Sequence, residues 1–395
     1  MYNEGKFMRI KEKYLILIST SIFMFAIAGS RPLISLYSTE LGANIAEVGL
    51  ITSLFSLLSL FLAIPLGRSI DKVNVKTPLY LCLGLCSISL IIPFVLGNII
   101  GICISQILAG VAQMTFVISI QSYAGGMKDR KTQEYYIAIF SIGVAIGSFV
   151  GPLVSGLLSQ SLDYATVMFY LGMTVIFAFP FIYYLLGYSR TIKDEIKDNK
   201  IKDTFDLLNN HALRKAILIS ALLLLGKDIY ISFFPLLAQS KGISNAMIGL
   251  IISVNAAAGI FIRMVTPLLL QQFKSSIIIT TALVIGGCSY ILNPLADNFF
   301  ILLFVSFILG LCLGVGQPLS ISNTIRALPA ARIGEGLGLR LSINKLTQVV
   351  APVVLGGVSN LYGIFSVFYI TGFIIFFGSI DFKAATKLTL RVKKK

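Results

Sequence analysis

Charge is scarce in this chain. Only 12% of its 395 residues are Asp, Glu, Lys or Arg, against 56% hydrophobic, and the mean hydropathy is +0.89. A soluble domain of this length could not hide so much apolar surface. Acids are the rarer sign, with 17 Asp and Glu against 32 Lys and Arg and a net charge of +15. There is one histidine, His211, and there are five cysteines, Cys82, Cys86, Cys103, Cys288 and Cys312. The cysteines have no metal-ligand spacing with His211, and no nucleophile–base arrangement is in view, which argues against an enzyme and calls for no metal or cofactor. No Gly-xxxx-Gly-Lys-Ser/Thr loop is present, so ATP does not drive work within this chain. Gly334-Glu335-Gly336-Leu337-Gly338 is only superficially like a dinucleotide fingerprint. No strand precedes it, and tight turning explains it better.

What the chain has is long apolar runs. A spanning helix needs about 20 mostly apolar residues. Twelve such helices are predicted, near 14–37, 47–66, 77–96, 99–123, 135–158, 165–187, 216–238, 246–270, 276–295, 299–325, 335–359 and 364–381. The runs are too long for barrel strands and lack strict alternation. The fold class is therefore all-α, a polytopic membrane protein. All five cysteines fall within spans and are expected to fill helix interfaces.

The basic residues orient it. Of the 32 Lys and Arg, 26 lie in the N-terminus, the even-numbered loops and the C-tail, and only Lys241 lies on the opposite side. By the positive-inside rule both termini are cytoplasmic, in what is expected to be the cell membrane. The net charge is thus mostly topological, offered to anionic lipid headgroups. Basic residues scattered over several loops do not suit nucleic acid. The first apolar run is longer than a signal peptide core. Ala26-Ile27-Ala28 imitates a cleavage site, but cutting there would leave the first half one span short, so that helix is read as an anchor.

The chain is written twice. At a shift of 200, Leu36, Gly42, Gly49, Leu50, Ile51 and Ser53 fall on Leu236, Gly242, Gly249, Leu250, Ile251 and Ser253. Asn98 meets Asn298, Gly110 meets Gly310, Gly172 meets Gly372, and Val150, Pro152, Val154 and Gly156 meet Val350, Pro352, Val354 and Gly356. Each repeat holds six spans, so both enter the membrane with the same orientation, a parallel repeat suited to rocking between inward-open and outward-open states. The domains are 1–187 and 216–395. They are joined by a polar cytoplasmic linker, 188–215, with an interfacial helix around Phe205–Leu208. A monomer is the expected working unit.

The loop between spans two and three reads Gly67-Arg68-Ser69-Ile70-Asp71-Lys72-Val73-Asn74-Val75-Lys76. It resembles the signature of the major facilitator superfamily, and the resemblance extends to length, span count and duplication. It implies that fold and transport by alternating access. Gly67 would let helix backbones approach. Asp71 would face a helix N-terminus or a basic side chain in gating. Lys72 and Lys76 serve orientation as well. Asn74 stands where Gly is usual and tolerates a left-handed turn. On span five, Gly143, Gly147 and Gly151 share a face, followed by Pro152 and Gly156. This resembles the glycine–proline motif of the superfamily's drug/proton antiporters, with Ser155 in place of one glycine. Ordinary small-residue packing is the alternative reading of the same stripe, and the two overlap physically. Span four carries Gln106 where many members have an arginine linked to proton transfer, so any such role is absent or relocated.

Ionisable groups within spans suggest a site. Asp228 in span seven is the candidate proton carrier. Arg31 in span one is its candidate partner, because the superfamily's architecture sets those two spans beside the central axis. A static ion pair is the competing reading. Lys227 points about 100° away from Asp228 on an ideal helix. Arg263, Arg340 and Lys345 would give the second half a positive cavity favouring anionic substrates, with Gln113, Gln317, Asn344 and Gln348 supplying neutral hydrogen bonds. Arg340 lies near the cytoplasmic end, where it could instead snorkel to the interface. The preferred function is proton-coupled export of small organic compounds. The alternatives are uptake of an organic anion and, outside transport, a membrane sensor or scaffold.

Overall fold

The computed structural model describes residues 2–70, 73–125, 127, 130–185, 206–328 and 332–392. Within these ranges, side chains are described except at 2–11, 63, 64, 67, 68, 125, 130, 317, 333–335 and 380–392. Twelve long helices follow one another: α1 (Tyr2–Glu40), α2 (Ile45–Ile70), α3 (Lys76–Leu96), α4 (Ile99–Gly125), α5 (Arg130–Leu158), α6 (Tyr164–Ile176), α7 (His211–Ser240), α8 (Asn245–Gln272), α9 (Ser275–Leu292), α10 (Phe299–Arg326), α11 (Ile333–Tyr362) and α12 (Phe365–Val392). A short helix, Phe179–Tyr184, continues α6. Among the described residues, eleven helices are long and apolar enough to cross a membrane, and α12 is apolar over Phe365–Ser379. The fold is all-α.

Several boundaries differ from expectation for identifiable reasons. α6 breaks because Pro180, at the start of the following helix, has no N–H to give the preceding turn. The broken end is closed by Lys76, whose Nζ donates to the Tyr183 carbonyl at 2.8 Å. The expected interfacial helix is a single 3-10 turn, Asp206–Asn209; Phe205 lies outside the described residues. Gly334–Gly338 does not turn tightly. It is helical, and Gly336 makes room for Leu328. Asn74 is not left-handed either, since no described non-glycine residue has positive φ. Its side chain instead accepts from the Lys76 N–H at 3.1 Å, closing the turn before α3. Cys82, Cys86 and Cys312 are buried as expected, but Cys288 is exposed.

The chain forms two compact units. Unit 1 is Met1–Asn44, Leu50–Glu195 and Ser244–Ser253; unit 2 is Ile45–Gly49, Ile196–Ile243 and Val254–Lys395. In unit 1 the glycine stripe of α5 lies against α1. A Cβ on Gly147 would come within 2.6 Å of the Phe25 N, and one on Gly151 within 2.5 Å of the Phe25 carbonyl oxygen. Such approaches replace the hydrophobic drive that lipid cannot supply between helices.

The glycines and asparagines that match at the shift of 200 play matching parts. Gly42 and Gly242 have φ of +90° and +73° and end α1 and α7 with the same paired hydrogen bonds, Ala43 N–H to Ser38 and Ile243 N–H to Ala238 among them. Asn98 and Asn298 accept from the N–H groups of Gly101 and Phe300 at the starts of α4 and α10, both at 2.8 Å. In unit 1, Gly110 meets the Phe55 carbonyl, Gly172 meets Ser87 and Leu90, and Gly249 meets Pro152 and Gly156. In unit 2, Gly310 meets Asn255, Gly372 meets Gly287 and Tyr290, and Gly49 meets Pro352 and Gly356. Each contact is the other's image at 200 residues.

Gly147→Leu therefore overpacks the α1–α5 seam and lowers stability by about 1–3 kcal/mol or more. Gly84→Ala, where an added Cβ meets nothing within 4 Å, leaves it unchanged or higher. Thermal unfolding of the purified variants, followed by tyrosine emission, checks both.

Candidate functional site

A polar side chain on a spanning helix must find its partners inside the protein. In unit 2 a group of these gathers where α7, α10 and α11 meet. Arg340 is 4% exposed and does not snorkel. Its Nε donates to Ser320 Oγ at 2.9 Å, and Ser320 passes a hydrogen bond to the Ala216 carbonyl at 3.0 Å. One helical turn further along α7 and α11, Asn344 Nδ2 donates to Ser220 Oγ at 2.8 Å. Asn344 is 7% exposed, and its Oδ1 is buried with no hydrogen-bond partner. Among the described residues no ion pair joins Arg340 to a carboxylate. Leu207, Leu213, Ile217 and Leu339 form an apolar layer next to this cluster, with the Asp206–Asn209 turn tied down by Asn210 Nδ2 donating to the Ala327 carbonyl at 2.9 Å. A guanidinium held this way keeps its desolvation cost, several kcal/mol, without a counter-charge to offset it.

Arg263 does not join it. Arg263 Nε donates to the Gly314 carbonyl at 3.3 Å. Gly314 and Ser320 are six residues apart on α10, about 9 Å along the axis and about 240° around it, so Arg263 and Arg340 approach different sides of that helix. Lys345 and Gln348 are partly buried on α11 and each has a partner. Of Gln317 only the helical backbone is described.

Asp228 is half-buried on α7, with Oδ2 closed to solvent; Lys227 beside it is exposed. Two tyrosines fix α7 around it. Tyr290 donates its hydroxyl to the Gly226 carbonyl and lies in the field of Asp228. Tyr230 donates to Ser306 Oγ at 2.6 Å and stacks on Phe234 at 4.5 Å.

In unit 1, Arg31 lies over the Phe55 ring, its Cζ 4.2 Å from the centroid, a cation–π contact between α1 and α2. Gln113 is partly buried, with its amide 3.8 Å from the Met24 sulfur. Glu12, which the sequence pattern left among the N-terminal charges, is 7% exposed on α1. Tyr136 donates to its Oε2 at 2.7 Å and Tyr123 adds a second hydrogen bond. Asp71 and Lys72 lie outside the described residues, and Gly67 is described only as helical backbone.

Sequence reasoning missed Glu12 with its two tyrosines, Tyr230, Tyr290, Ser220 and Ser320. A signal existed for Glu12: an acid within one turn of an apolar run that shares a helix with it. None existed for the serines, which are common in apolar helices and bond mostly to their own preceding turn, as Ser19, Ser30 and Ser38 do.

The comparisons with known proteins agree with this architecture. The model of the family described as the Major Facilitator Superfamily matches residues 16–226 and again 216–394. An uncharacterized MFS-type transporter of Methanocaldococcus jannaschii is 21% identical over 383 residues, covering 94% of this chain and 98% of that protein. The crystal structure of the nucleoside transporter NupG superposes with a TM-score of 0.78 at 18% identity, covering 96% of this chain and 99% of that one. The human organic anion transporter MFSD10 superposes at 0.67 and 15% identity, covering 95% and 99%. At such identities the likeness carries the fold alone.

Removing the Tyr136 hydroxyl strips a buried carboxylate of a donor. Tyr136→Phe is expected to cost about 1–3 kcal/mol, read as a lowered unfolding temperature. Tyr135→Phe, on the neighbouring ring that is 47% exposed, is expected to cost nothing.

Proposed function

Because this chain belongs to the Major Facilitator Superfamily, a family of transporters and not of enzymes, we propose that it is a secondary active transporter working by alternating access, exporting small organic compounds in exchange for protons. Membrane transport follows from the family. The coupling ion, the direction and the substrate are our reading. We place the chain in the cell membrane, with both termini cytoplasmic, lipid around it and a monomer as the working unit.

One observation carries the proton: Asp228, a lone acid on α7 with one oxygen already closed to solvent. Burial favours the protonated form of a carboxyl group, while water or a nearby cation favours the ionised form. A change in water access between two states would load and unload it. Arg31 is a second coupling candidate, and Lys227 a lesser one. The export direction rests on the α5 stripe of Gly143, Gly147, Gly151, Pro152 and Gly156, which resembles that of drug/proton antiporters. Asp71, with Gly67, Lys72 and Lys76, stays the candidate gate. Uptake of an organic anion is the second reading, favoured by Arg340, a buried cation whose described partner is a neutral hydroxyl.

The purified protein in liposomes tests the reading. A substrate is found by following proton movement as compounds are added. With it, an imposed pH gradient drives flux in the native protein. Asp228→Asn is expected to abolish that flux while leaving exchange down a substrate gradient. Undiminished pH-driven flux in the variant removes Asp228 from coupling.

A further inference from the structure

The cluster at α7, α10 and α11 has an unfilled set of hydrogen bonds. Arg340 spends only Nε on the protein, so its two Nη groups, a planar fork matched to a carboxylate, are left over. Asn344 spends only its amide nitrogen, and its Oδ1 accepts nothing. The two residues are four apart on α11, one above the other on the same face, with Cβ atoms about 5–6 Å apart. A cationic fork on a largely buried arginine therefore stands beside a buried empty acceptor. Ser320 and Ser220 hold each in place from α10 and α7, and Ser320 is itself anchored to Ala216.

The two demands differ in kind. The fork needs an anion. The Asn344 oxygen needs an N–H or O–H donor, which a bare halide or a plain carboxylate does not bring. We infer that this cluster binds a small organic acid carrying a hydroxyl or amine on the carbon next to its carboxylate, with Arg340 taking the carboxylate and Asn344 the adjacent donor. This names the substrate class for the transporter reading and rests on it. It does not involve Arg263, which meets α10 on another side. Arg340 and Asn344 each bond a serine hydroxyl, and no described carboxylate pairs with either.

Binding can be read without transport. The full chain, purified in detergent, is titrated with sodium lactate, sodium propionate and sodium chloride at constant ionic strength, and its unfolding temperature is followed by tyrosine emission, since the chain has no tryptophan. Lactate is expected to raise that temperature saturably. Propionate is expected to do so about tenfold more weakly, for want of the donor, and chloride not to do so over the same range. Arg340→Gln weakens the lactate response about a hundredfold or more. Asn344→Leu keeps propionate binding and loses the preference for lactate. Should Arg340→Gln fail to fold, the Asn344→Leu preference decides alone. The inference is overturned if lactate stabilises the native protein no better than chloride, if Arg340→Gln responds like the native chain, or if Asn344→Leu still prefers lactate. A failure of pH-driven flux with the lactate response intact would sink the proton reading and leave this site standing.

Discussion

Lipid offers no hydrogen bonds, and this is the constraint from which the rest of the molecule follows. Backbone groups in the spans must be satisfied inside the protein, so helices are the only regular structure open to long single apolar segments such as these. Lipid tails are also as apolar as leucine, so burial alone does not hold helices together. Contact must come from close backbone approach, which requires glycine. Gly147 and Gly151 against α1, Gly110 against Phe55 and Gly310 against Asn255 are instances of one solution. A side chain at any of these positions would collide with backbone.

The same constraint explains why the duplication stayed visible while most of the sequence drifted. A leucine facing lipid exchanges freely with isoleucine or phenylalanine. A glycine pressed against a carbonyl does not, nor does one at φ of +90° or +73°. The glycines and asparagines that match at 200 residues are accordingly at helix ends, caps and close approaches. Spans and repeat could be read from sequence because each depends on composition or on a residue type that nothing else replaces. The ends of helices were less legible. The break in α6 was written in Pro180, but α1 running to Tyr2 and α5 starting at Arg130 have no such mark, because a helix can continue into water at little cost.

The site was legible only in part. Ionisable residues inside spans stand out in sequence, so Asp228, Arg31, Arg263, Arg340 and Lys345 could all be named. Their burial could not. Arg340, with a long stem near a helix start, had every means to reach the interface, yet it is held inside by Ser320. Two of the three cations expected to share a cavity, Arg263 and Arg340, are divided by which side of α10 they approach. Serine partners leave no trace in the pattern, and Glu12 was hidden among the charges flanking the first span. What sequence identifies is a cost, a charge placed where charge is expensive. Which groups offset that cost is decided by three helices meeting, and that requires the fold.

Arg340 is where the constraint is least satisfied and therefore most informative. A bilayer protein that buries a guanidinium beside an empty amide oxygen holds two groups that a bound ligand can complete together. The most direct measurement is a structure of the purified chain determined with and without lactate. The account predicts difference density between α7, α10 and α11, with the carboxylate on the Arg340 Nη atoms and the hydroxyl on Asn344 Oδ1. Density elsewhere, or a protein carboxylate already occupying the Arg340 fork in the ligand-free molecule, would contradict it.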